Sequence, residues 1–166
     1  MARWTQTWLS GLAAAGVDTR PEGGWRGRRW GLPPEGPGAV ATPGSRFAAF
    51  VLDVLFSALI GGLVTGLLTD PTQGQRSLIP NAAFAVQVLV LTVLTGQSLG
   101  KRVLGIRVVR LADRERPPGL LPAAIHTALV MLVIPAVITD RDGRGLHDKA
   151  AGTLVVRTRA ARRFAA

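Results

Sequence analysis

Residues 47–69 read Phe47-Ala-Ala-Phe-Val-Leu-Asp-Val-Leu-Phe-Ser-Ala-Leu-Ile-Gly-Gly-Leu-Val-Thr-Gly-Leu-Leu-Thr69, an apolar run of 23 residues broken by one carboxylate, Asp53. As a helix, about 20 such residues cross the ~30 Å hydrocarbon core of a bilayer, so the run reads as a transmembrane helix. A carboxylate inside it costs roughly 2.5 kcal/mol or more unless it finds a partner or water. Arg46 precedes Asp53 by seven residues, nearly two turns, which places both side chains on one face. The rise between them is about 10 Å, too long for a direct bond, so a further polar group has to complete the site.

The rest of the chain agrees with a membrane protein. Of 166 residues 48% are apolar, the mean hydropathy is +0.29 and the net charge is +10. The basic residues flank the apolar runs, so anionic lipid headgroups, and not nucleic acid, are the expected partner. There is no cysteine, which excludes disulfides, zinc–thiolate sites and thiol nucleophiles. The first apolar patch, Leu9 to Ala15, is too short for a cleavable signal, so the helix from Phe47 is expected to act as an uncleaved signal anchor.

Around the first helix the chain divides into segments. Residues 1–44 form an extension rich in Trp, Gly, Pro and Arg, read as largely disordered or interfacial; Trp4, Trp8 and Leu12 would share one helix face on the membrane. Ser45 is the expected N-cap of the first helix. Ala58, Gly62 and Gly66 recur every four residues and offer a close-packing stripe, against the second helix or another copy of the chain. After a polar turn at 70–77, Leu78 to Thr95 is an uncharged second span, with Pro80 in its first turn and Gln87 placed to hydrogen-bond to the first helix. Residues 96–118 are basic and contain a β-branched run, Gly105 to Arg110, echoed by Gly152 to Arg157 in the tail. Between them, 119–139 is apolar and carries Pro135, which breaks a helix.

Charge sets the expected topology. Lys and Arg number six before the first helix, one in the 70–77 turn, six in 96–118 and seven after 139. The positive-inside rule puts the N-terminus, 96–118 and the tail in the cytoplasm. A third full span would place seven basic residues on the wrong side, so 119–139 is expected to re-enter or to lie along the inner membrane surface, and the two β-branched runs to pair as a cytoplasmic hairpin-like sheet. The fold class is therefore an all-α membrane protein with two transmembrane helices, a third apolar segment that re-enters or spans, and this small pairing.

Several sharper motifs fail. Gly96 to Arg102 is one residue short of a phosphate loop and lacks its Ser or Thr. Gly143-Arg-Gly145 lacks a third glycine for a dinucleotide fingerprint. His126 and His147 are the only histidines, too few to announce a metal site by spacing. No catalytic residue, cofactor or metal is read, and enzymatic activity is not expected.

Arg46 at the mouth of the first helix, Asp53 within it, Gly96-Gln-Ser-Leu-Gly-Lys-Arg-Val-Leu-Gly-Ile-Arg-Val-Val109 and Leu146-His-Asp-Lys-Ala-Ala-Gly-Thr-Leu-Val-Val156 together resemble the RDD family of bacterial membrane proteins, named for one Arg and two Asp. The resemblance runs from about 45 to 156, within a membrane domain drawn at 45–157 ahead of a basic tail, 158–166. It implies Arg46, Asp53 and Asp148 as an ionic network, with Arg102, Lys149, His147 and Gln97 as helpers. It also implies a multi-pass protein of the bacterial plasma (inner) membrane, acting as a homo-oligomer or within a larger complex. Two roles follow: an accessory or scaffold subunit whose network is structural, or ion or small-solute transport of the sodium–proton exchange type with Asp53 as the intramembrane carboxylate. The first is preferred, because two or three spans cannot by themselves enclose a pathway.

Overall fold

A computed structural model describes residues 24–132 and 144–159. The first helix, α1, runs Pro43–Gly66 and the second, α2, Gln73–Thr95. A short helix, α3 (Leu99–Val103), leads into strand β1 (Ile106–Arg110). Helix α4 (Leu120–Met131), helix α5 (Leu146–Ala150) and strand β2 (Thr153–Arg157) complete the described chain.

Both long helices begin earlier than the apolar runs suggest. Thr42, not Ser45, caps α1: its hydroxyl accepts from Ser45 N, and Pro43 takes the first turn, where its missing N–H is harmless. Thr72 and Gln75 form a capping box on α2, so the helix absorbs part of the polar turn. Pro80 consequently lies inside α2, not in its first turn. Gly61 accommodates it, since a Cβ there would lie 2.6 Å from Pro80 Cα.

Ala49, Asp53, Ser57 and Gly61, every fourth residue of α1, are the buried stripe, and Phe84, Val88 and Thr92 are buried on α2. Ala58, Gly62 and Gly66 lie one residue further round the helix and are exposed, and a Cβ at Gly62 or Gly66 would meet nothing in the chain. The close-packing stripe within the chain is thus rotated about 100° from the expected one. Elsewhere the long helices present leucines outward, among them Leu59, Leu63, Leu67, Leu78 and Leu94. Only 22% and 17% of their apolar windows are buried, whereas a soluble core helix hides most of its surface. Both are long and apolar enough to cross a membrane.

The third apolar segment is shorter. Helix α4 has 12 residues, about 18 Å, too little to span. Pro135 and the rest of 119–139 beyond Leu132 lie outside the described residues, as do Trp4, Trp8 and Leu12.

Strands β1 and β2 pair antiparallel, Ile106 opposite Arg157 and Arg110 opposite Thr153, as the echoed β-branched runs suggest. Part of the 1–44 extension, expected to be disordered or interfacial, joins them. Val40 bridges Val156, Ala41 N donates to Val155 O and Arg157 N to Ala39 O. Leu32 and Val40 are buried with Val109, Leu154 and Val156, and Trp30 packs beside them. A two-stranded pairing is marginal alone, and these residues supply an apolar cover for one face. Residues 24–42 therefore belong structurally to the lobe, because their few apolar residues meet an apolar sheet despite the Gly and Pro around them.

Candidate functional site

The site forms where α1 enters the lobe. Arg46, in the first turns of α1, extends toward α5, and its Nη1 donates to Asp148 Oδ2 at 2.5 Å. Both side chains are buried, at 8% and 0% exposure. Gly145 N donates to the same oxygen at 3.3 Å, and the Thr153 hydroxyl donates to Oδ1 at 3.3 Å. Arg144 adds a donor to Asp148 O at 3.0 Å, while its guanidinium lies over the Trp30 ring, 5.5 Å from the centroid. The Arg46–Asp148 pair joins residues 102 apart in sequence and fastens α1 to α5.

Asp53 sits two turns deeper and is buried. It does not share Arg46. Among the described residues its direct partners are uncharged: the Ser98 hydroxyl donates to Oδ2 at 2.5 Å, Gly100 N to Oδ1 at 2.7 Å and Gln87 Nε2 to Oδ1 at 3.3 Å. The rise of about 10 Å along α1 keeps Arg46 from Asp53, and Ser98, Gly100 N and Gln87 are the further polar groups that complete the site around Asp53. The Gly100 bond needs a bare glycine, since a Cβ at that position would lie 2.1 Å from Ala49 O.

Between the two carboxylates lies Lys101, buried, with Nζ 3.4 Å from His126 Nε2. Burial pushes its pKa down; the charges of Asp53 and Asp148 oppose this without cancelling it. Burial pushes Asp148 the other way, but Arg46 and then the two histidines outweigh it and hold the carboxyl well below the usual carboxylate range.

Of the helpers read from sequence, only His147 enters the cluster, with Nε2 3.5 Å from Asp148 Oδ1. Arg102 and Lys149 are exposed. Gln97 donates to Ile106 O at 3.0 Å and so holds the start of β1. Sequence reasoning missed Lys101, Ser98 and His126 as site residues. Lys101 is one of only two lysines among 20 basic residues, and His126 is one of two histidines, but nothing in their spacing joins them.

His126, His147 and Asp148 each offer a donor atom within 4.8 Å of the others. Two imidazoles and a carboxylate suit a zinc-like cation. Charge weighs against it: Arg46 and Lys101 already stand in the cluster, and a dication would add to them.

Two long apolar helices fastened to a small basic lobe through buried carboxylates define a membrane-type protein. The chain belongs to the RDD family, whose sequence profile matches residues 40–152. No curated protein and no solved structure matches it.

Proposed function

We propose that the protein is a non-enzymatic accessory or scaffold subunit of the bacterial plasma membrane, in which Arg46, Asp53 and Asp148 are structural fasteners. One observation carries this reading. Each oxygen of both carboxylates already accepts from at least one protein donor, leaving none aimed at a travelling cation. Asp53 locks the α2–α3 corner onto α1, and Asp148 locks α5 onto the start of α1. Assembly with a second copy or a larger membrane complex belongs to the same reading, since two long helices leave their leucines to lipid or to neighbours.

Purified protein reconstituted alone in vesicles should move sodium or protons no faster than empty vesicles, and Asp53→Asn should not change that. Cation flux in the wild type, abolished by Asp53→Asn in a protein that still folds, would establish the transport alternative.

The same reading places both chain ends in the cytoplasm and the α1–α2 turn outside. The absence of cysteine gives a clean background for labelling. Ser77→Cys should react with an impermeant thiol reagent in intact cells, and Lys149→Cys, at an exposed position of α5, only after the membrane is opened. Reaction of both in intact cells would contradict this sidedness.

A further inference from the structure

A cavity of about 300 Å³ lies against the cluster, lined by Phe47, Phe50, Val88 and Val130 on its apolar side and by Arg46, Asp53, Lys101, His126 and His147 on its polar side. This is the lower end of the ~300–1,000 Å³ range of small-ligand sites. The polar side is rich in unused donors. Arg46 Nε is buried and has no hydrogen-bond partner, although the side chain is only 8% exposed. Lys101 Nζ has one hydrogen-bond neighbour, His126 Nε2, for its three donor positions. His126 Nδ1 is buried 3.4 Å from Asp148 Oδ1 and is taken up by that carboxylate, so the unused donors are those of Arg46 and Lys101. Buried donors in this state cost stability until something accepts from them.

Charge selects the sign of that acceptor. The cavity wall holds two cationic side chains, Arg46 and Lys101, against one carboxylate, Asp53, while Asp148 lies outside the wall, so with neutral histidines the wall carries one cation in excess. A monoanion balances it; a divalent cation would triple the excess. The apolar side selects the rest of the molecule. Phe47 is 60% exposed at the start of α1, so the cavity's apolar wall continues into the surface that the membrane reading gives to lipid.

We propose that this cavity binds the oxyanion head of an acidic membrane amphiphile, a carboxylate or phosphate on an acyl chain. Lys101 Nζ and Arg46 Nε hold the head, and Phe47 and Phe50 bear on the chain. This goes beyond the scaffold reading and stands independently of it.

The test uses the full chain in uncharged detergent, with thermal unfolding and the His126 and His147 ring resonances as readouts. Dodecanoate and dodecyl phosphate should bind saturably, raise the unfolding midpoint and shift both rings. Dodecanol and inorganic phosphate should each bind roughly 10–100-fold more weakly, because each lacks either the charge-assisted hydrogen bonds or the chain. Lys101→Met removes a buried charge and should still fold, yet bind dodecanoate no better than dodecanol. Native mass spectrometry identifies the source: phosphatidylglycerol retained through purification and resistant to dodecanoate marks a phospholipid head, and its displacement marks a single-chain acid. Equal binding of dodecanol and dodecanoate, unchanged binding by Lys101→Met, or stabilisation by zinc and by no amphiphile would overturn the proposal.

Discussion

Arg46→Ala is expected to destabilise the protein by roughly 3–5 kcal/mol, the usual cost of removing one partner of a buried ion pair. The cost comes less from the lost attraction than from what remains, a carboxylate at 0% exposure that has lost its arginine partner and keeps only weaker donors. Unfolding in mixed micelles measures it. The pH dependence carries a second signature. In the wild type the folded Asp148 carboxyl is held below its ordinary value of 3.8, so its contribution is complete above about pH 4 and is lost only as pH falls through the depressed value. Without Arg46 the largest of the influences that lower the carboxyl's pKa is gone, so the folded value rises from its depressed position and the group contributes less stability near neutrality. The deficit of Arg46→Ala should therefore be largest near neutrality and should shrink as acid removes the same contribution from the wild type. The stability of Asp148→Asn, which stays neutral throughout, should itself lack this group's pH dependence.

The second large effect is expected at Gly100. Its N–H reaches Asp53 only because α3 touches α1 at this point, and an added Cβ would lie 2.1 Å from Ala49 O and 3.0 Å from Asp53 N. Both obstacles are backbone and cannot rotate away. Gly100→Ala should therefore reach or exceed the upper end of the ~1–3 kcal/mol typical of overpacking, and it should separate the α2–α3 corner from α1. Gly62→Ala is the matched control. A Cβ at that position meets nothing within the chain, and alanine favours a helix over glycine by roughly 0.8–1 kcal/mol. It should be neutral or slightly stabilising, so the pair separates the cost of contact from the cost of a methyl group on a helix.

The long helices and the strand pairing were legible in the sequence because each is a local pattern. The apolar run from Phe47 has membrane length, and Ile106–Arg110 and Thr153–Arg157 share β-branched composition. Gln87 was legible as a polar residue at mid-span facing the first helix, and the structure places its amide on Asp53. What stayed hidden depends on contacts remote in sequence. Arg46 and Asp53 share a helix face, yet which carboxylate Arg46 takes is decided by α5, about a hundred residues on. Lys101 looked like one more surface cation beside Arg102. The turn of α3 buries the first and exposes the second, a difference of one residue that charge counting does not resolve. The stripe of α1 that meets α2 lies one position from the small-residue stripe, which faces outward, for a related reason. Ala58, Gly62 and Gly66 are small, but the stripe that meets α2 includes Asp53, and a rule based on small residues passes over an acid.

The central claim is that Arg46 and Asp148 fasten the first membrane helix to the lobe as one unit. A double-mutant cycle of Arg46→Ala, Asp148→Ala and the two together, read by unfolding of the purified protein in mixed micelles, tests it most directly. The fastener predicts two strongly destabilised single variants and a double variant destabilised by far less than their sum, with an interaction energy toward the upper part of the ~0.5–3 kcal/mol range of contacting residues. Two effects that simply add, or single variants as stable as the wild type, would contradict it.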